Sequence, residues 1–287
     1  MAIISPFRAL RPQPALAAQV ASPPYDVLNS AEAKVAADNN PYSFLHITKA
    51  EIDLPDETDI HSEKVYRKAE DNLFIFREQK ILVEDGQPFY YIYQLTMNGK
   101  SQTGLVCVSS VADYEENIIR KHELTRPEKE LDRINHMRIT GAQTGNVFLA
   151  FKSNKTFSDL IHSWKKAHQP VYEFTAEDGI GHAIWVIDQP DSIQQVTGIF
   201  KNEIPFTYIA DGHHRAASAA KVKQALGDQA SPEADYFLTT LFPSAELHIL
   251  DYNRLVHDLN GASVEEFLNS LQKDFLVGKV DKAFSPD

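Results

Sequence analysis

The spacing of apolar and polar positions changes period repeatedly along the chain, and each change marks an element. Over 63–79, Val65, Ala69, Leu73 and Phe76 recur at helical spacing with charges between them, which predicts an amphipathic helix. Residues 88–97 and 101–111 are rich in Tyr, Ile, Val and Thr, with Asn98-Gly99 between the two runs. That dipeptide accepts the positive φ angles of a two-residue turn, so the pair reads as an antiparallel hairpin. Further helices are predicted over 30–38 with Ser30 as cap, 127–139 with Pro127 in the first turn, 158–167, 191–201, 215–226 stopped by Gly227, and 264–273. Strands are predicted over 42–48, 147–151, 171–175 and 182–188 around Asp178-Gly179, then over 206–210, 237–242 and 247–250. The stretch 275–287 is strand-like and stops abruptly at Phe284-Ser285-Pro286-Asp287, where further chain is expected.

Helices interleave with hairpins, which predicts an α+β fold of mixed and antiparallel sheets with packed helices. A length of 287 residues suits one large or two modest domains. The expected division is 1–155, carrying a Pro-Pro-Tyr-Asp loop and the hairpin, and 156–287, carrying an Asp-Gly-His-His-Arg loop. Lys plus Arg number 28 against 40 Asp plus Glu, a formal charge of −12, which argues against a nucleic-acid partner. The single Cys107 excludes a disulfide framework and a multi-Cys metal site, and its apolar run predicts a buried, inert thiol. There is no run of apolar residues long enough to span a membrane, and Pro6, Arg8, Arg11, Pro12 and Pro14 break any leader-like segment, so a cytoplasmic address without membrane contact is expected.

The densest chemistry sits at Asp211-Gly212-His213-His214-Arg215, between an apolar run and an Ala-rich helical stretch. Gly212 permits a tight turn and close approach of a ligand, and a helix start offers free N–H groups and a positive dipole end. Arg215 adds a planar fork for phosphate or carboxylate oxygens, so the residues favour phosphate handling. The bland alternative makes Asp211 an ordinary cap, Gly212 a turn residue and the histidines surface groups.

A second constellation is Lys121-His122-Glu123-Leu124-Thr125-Arg126. It offers a general base in Glu123 or His122, a phosphate clamp in Lys121 and Arg126, and the Thr125 hydroxyl. A capped helix entrance, with Thr125 as cap and Glu128 as its partner, explains part of the same pattern but not His122-Glu123. In a third, Pro23-Pro24 hold Tyr25 and Asp26 in an extended loop, which suits a binding loop and a structural elbow equally. Asp251-Tyr252-Asn253-Arg254 is a weaker version. Gly141-Ala142-Gln143-Thr144-Gly145 is too loose to count as a phosphate loop, and no His-Glu-x-x-His or Walker A pattern occurs.

Taken in order, Ile4-Ser5-Pro6-Phe7-Arg8, Ser22-Pro23-Pro24-Tyr25-Asp26, Lys121 to Arg126, Ala210 to Arg215 and Tyr252-Asn253-Arg254 resemble the DUF1015 family over nearly the whole chain. The Asp-Gly-His-His-Arg loop is also similar to the phosphate-binding loop of the ParB/sulfiredoxin-like superfamily, and closely so to that of its free L-serine kinases. The resemblance implies a nucleotide-binding core of that kind and a kinase moving phosphate from ATP or ADP to a free hydroxy amino acid, with L-serine giving O-phosphoserine. Asp211 would hold Mg²⁺ or orient the attacking hydroxyl; the Gly212 N–H, His213, His214 and Arg215 would surround the phosphates. Tyr25, Asp26, Asn253 and Arg254 would bind substrate. Sulfiredoxins carry Cys where His213 stands here, which excludes sulfinic-acid reduction. A ParB-like nucleotide-dependent regulator and a nucleotide or phosphoester hydrolase remain as alternatives.

Overall fold

The computed structural model describes residues 1–248 and 254–281. It has α+β architecture around a mixed nine-stranded sheet. The strands are β1 (Ile4–Ser5), β2 (Leu10–Pro12), β3 (Leu82–Glu84), β4 (Tyr90–Met97), β5 (Lys100–Ser110), β6 (Ile119–Arg120), β7 (Val147–Phe151), β8 (Tyr172–Thr175), β9 (Gly181–Ile187), β10 (Thr207–Asp211) and β11 (Tyr236–Pro243). The large sheet runs β6-β10-β7-β11-β5-β4-β9-β8, with β1 also on β5, while β2 and β3 pair separately. Neighbours are antiparallel except β10 with β6 and β11 with β7. Asn98 and Gly99 take φ of 52° and 75°, the left-handed pair that a two-residue hairpin turn between β4 and β5 requires.

The chain forms two compact units, Met1–Glu246 and Leu247–Asp287. The division expected at 155/156 does not separate compact units, because strands from both sides of it bond within one sheet: β4 pairs with β9, and β5 with β11. A continuous sheet carries its hydrogen-bond ladder and its core straight across that position.

Within the first unit the helices are α1 (Ala17–Val20), α2 (Ser30–Ala36), α3 (Leu45–Thr48), α4 (Glu63–Glu78), α5 (Val111–Glu115), α6 (Pro127–Thr140), α7 (Lys155–Ala167), α8 (Pro190–Glu203) and α9 (His213–Leu226). Alternation decides which sheet face they cover: Val147, Leu149 and Phe151 of β7 are buried, as are Ala183, Trp185 and Ile187 of β9, and the residues between them are half-buried. Phe157 of α7 and Phe200 of α8 meet Phe151 edge-on, with ring centroids 5.2 and 5.1 Å away. The small residues Ala216, Ala217, Ser218 and Ala219 are all buried and let α9 lie close to its neighbours, where the Ser218 hydroxyl donates to the Glu130 carbonyl of α6 at 3.2 Å. Cys107 is fully buried, which pushes its thiol up to about 12.

Several local expectations are corrected. Residues 42–48 form no strand: Leu45 and Ile47 enter different apolar clusters, and the short α3 turn separates them better than a strand would. Asn29, not Ser30, caps α2, in a reciprocal box with Glu32. Arg126 rather than Thr125 occupies the cap position of α6. In the second unit, α10 (Val264–Leu271) starts at a Ser263–Glu266 capping box. Leu247 and His248 belong to no strand, and the rest of 247–250 lies outside the described residues. Residues 275–281 are irregular rather than strand, and 282–287 lie outside the described residues. No helix among the described residues is long and apolar enough to cross a membrane.

Candidate functional site

The turn from β10 into α9 is fixed by its glycine. Gly212 takes φ +94°, and a Cβ there would stand 3.3 Å from the Val147 Cα and 3.5 Å from the Arg215 guanidinium. No side chain caps α9 at this end. The first-turn N–H groups are therefore left to water or to an external acceptor, where the helix dipole favours negative charge.

Arg215 organises what surrounds the turn. Its side chain, 15% exposed, donates to the Asn146 carbonyl, to Asp211 at 3.0 Å and to Asp26 at 3.3 Å. Both carboxylates meet the same guanidinium nitrogen, so their oxygens are no farther apart than those two distances combined. Asp26 comes from the Pro-Pro-Tyr-Asp loop, and Tyr25 beside it places its ring centroid 5.9 Å from the same guanidinium. Asp211 and Asp26 stay substantially exposed, at 67% and 42% of their side chains.

On the other side of the turn, His213 is buried, and its ring stands edge-on to His122 at 4.4 Å. Its Nε2 accepts the His122 backbone N–H at 3.4 Å, which leaves the proton on Nδ1, 3.5 Å from the Glu123 carboxylate. Burial first, and the nearby His122 next, push the His213 pKa down, so the ring is a neutral tether that brings 122–123 to the turn. Glu123 remains exposed. The Nδ1 of His214 is buried without a hydrogen-bond partner among the described residues.

The other candidate residues are engaged differently. Lys121 donates to the Tyr114 carbonyl at 2.7 Å and lies 3.9 Å over that ring. Burial works against the Glu130 carboxylate, yet Lys221 and the Thr125 hydroxyl hold it below the usual carboxylate range. Arg126 is exposed and makes no side-chain hydrogen bond or ion pair among the described residues. Arg254 is exposed in the second unit, and Asn253 lies outside the described residues.

Sequence reasoning missed a small, partly open pocket lined by Tyr25, Arg133, His136, Gln143, Thr144 and Arg215 among others. Arg133 lies 4.0 Å over the Tyr25 ring and is paired with Asp132, which also accepts from Tyr66 at 2.8 Å. Gln143 bridges to the β11 backbone, donating to the Tyr236 carbonyl and accepting from the Leu238 N–H. The available signal was the i, i+3 spacing of Arg133 and His136, which puts both on one helix face. Among the described residues no group of three or more His, Cys, Asp or Glu is placed to hold a metal ion. Asp26 and Asp211 supply two hard oxygen donors of the kind that share Mg²⁺ with phosphate.

Fold and turn together define an α+β protein in which sequence-distant loops converge on a charged strand-to-helix turn. The chain belongs to the family described as protein of unknown function (DUF1015), whose model matches residues 4–286. Comparison with curated proteins and with solved structures finds no match.

Proposed function

We propose that the protein is a small-molecule kinase that transfers a phosphoryl group from ATP or ADP to a free hydroxy amino acid, most naturally L-serine. The observation that carries this reading is the sharing of Arg215 by Asp26 and Asp211 at the uncapped start of α9. The similarity of the loop to those of the ParB/sulfiredoxin-like superfamily and its free L-serine kinases supplies the acceptor. Phosphoryl transfer asks for positioning and charge neutralisation more than covalent chemistry, and this cluster offers both.

Around the turn, Asp26 and Asp211 share the Arg215 guanidinium while Glu123 stands by the neutral His213, an anionic surplus that a bare polyphosphate would not enter. A divalent cation removes the conflict: Asp26 and Asp211 would hold Mg²⁺, which when bound neutralises phosphate oxygens. The α9 N–H groups and Arg215 would then bind phosphate, while Glu123, exposed yet tethered through His213, takes the proton of the acceptor hydroxyl. The hydroxyl oxygen forms the new P–O bond as the bond to the leaving nucleotide breaks.

The test incubates the full chain with Mg²⁺, ATP or ADP, and a panel of amino acids, read by phosphorus-31 NMR. A new phosphomonoester that requires the amino acid is expected. Free phosphate formed without an acceptor would replace transfer by hydrolysis. No turnover together with submicromolar, steeply salt-dependent DNA binding would replace the kinase by a ParB-like regulator.

A further inference from the structure

The pocket beside the turn has a lining unlike the rest of this acidic chain. It contains the guanidinium groups of Arg133 and Arg215 and no carboxylate, with Met137, Val147 and Phe237 as apolar wall. Arg133 is 12% exposed, and its Nε and Nη2 both donate to one oxygen of Asp132, at 2.8 and 2.5 Å. Its Nη1 has no hydrogen-bond partner among the described residues, a spare charged donor at a largely buried position.

His136 supplies the opposite function. It is 4% exposed, and its Nε2 sits 3.0 Å from the Ile47 carbonyl. A carbonyl only accepts, so Nε2 carries the proton and Nδ1 is a bare acceptor, with no hydrogen-bond partner among the described residues. Burial, with Arg133 adding to it, pushes the ring's pKa down to about 4, so it stays neutral at pH 7.

We propose that this pocket binds the α-carboxylate and α-ammonium of a free amino acid, with Arg133 Nη1 donating to the carboxylate and His136 Nδ1 accepting from the ammonium. The assignment rests on the kinase reading and deepens it, since Arg215 lines the pocket and also holds Asp26 and Asp211. Inorganic phosphate satisfies the arginines and can donate a P–O–H to His136 Nδ1, so it is the competing occupant that the titration below separates from an amino acid. A nucleobase is disfavoured because Arg133 already covers one face of Tyr25 at 4.0 Å.

The test titrates the full chain calorimetrically, without nucleotide, with L-serine, L-serine methyl ester, N-acetyl-L-serine and inorganic phosphate. L-Serine binds, and both blocked derivatives bind at least about tenfold more weakly, because each loses one of the two charge-assisted hydrogen bonds of the pocket. Equal binding of the ester and the free acid, or stronger binding of phosphate than of L-serine, overturns the assignment. Arg133→Lys keeps the charge but loses the fork, and His136→Gln keeps the donor to Ile47 but removes the Nδ1 acceptor. Each raises the KM for L-serine about tenfold with little change in kcat. Transfer with unchanged KM in both variants overturns the pocket and leaves the kinase standing; nucleotide-free binding of L-serine without any transfer supports the pocket and removes the kinase. The derivative series needs no variant, so a misfolded substitution does not shield the proposal.

Discussion

Two arginines anchor two adjacent regions, and they are held in opposite ways. At the head of α9, Arg215 is shared between exposed carboxylates from distant loops, Asp26 and Asp211. On α6, Arg133 is held by its own neighbour Asp132, which accepts in turn from Tyr66, and it is pressed onto Tyr25. Ion pairs to exposed carboxylates are weak and can open for a ligand, whereas a largely buried group held by two hydrogen bonds to a neighbouring carboxylate keeps its position. On the kinase reading, the difference gives changing charge to the first region and fixed recognition to the second.

The sharpest way to break that division is Glu123→Gln at the first region. On the kinase reading it lowers kcat by about 10²–10⁴ while leaving the KM for the amino acid nearly unchanged. A rise in KM alone, in steady-state kinetics, would move Glu123 from chemistry to recognition.

The second region carries a pH signature. The pKa of His136 lies below its ordinary 6.5, at about 4, so the unfolded chain binds the extra proton first as pH falls. Its stabilising contribution is therefore present above about pH 6.5 and is lost between there and pH 4, by on the order of 3 kcal/mol. Urea unfolding across this range should show that acid loss in the unmodified chain and a flatter limb in His136→Gln. An equal slope in both would mean that the ring is not held neutral by burial.

A smaller effect belongs to the turn itself. Gly212→Ala places a Cβ at φ +94° and 3.3 Å from the Val147 Cα, so about 1–2 kcal/mol of stability should be lost in denaturant titration. No loss would mean that the turn relaxes freely. The least effect is expected on α7, where Lys155 pairs with Asp159 at 86% and 65% side-chain exposure. Lys155→Ala should change stability by less than about 0.5 kcal/mol, the scale against which the other changes are judged.

The contrast also explains what the sequence made legible. The hairpin at Asn98-Gly99 and the turn at Gly212 could be read because each depends on local backbone chemistry, positive φ and a helix start. The short helix at 45–48 could not, because its conformation is set by which apolar cluster each side chain joins. Arg133 and His136 were hidden by their surroundings in sequence: among Glu128, Lys129, Asp132 and Arg138 they look like a solvated helix face. Only the packing of α6 against α4 and α9 buries that face, and those contacts join residues far apart in the chain. The same holds for Asp26, whose partner Arg215 lies 189 positions away.

The central claim is that Asp26 and Asp211 act as one unit around Arg215 and a divalent cation. It is tested most directly by a double-variant cycle on the rate of phospho-amino-acid formation, comparing Asp26→Asn, Asp211→Asn and the pair. Groups that hold the same partner lose their function together, so the account predicts that the double variant is scarcely slower than the worse single variant. Multiplying losses, in which the double variant falls by the product of the two single effects, would show that the carboxylates work independently and would contradict it.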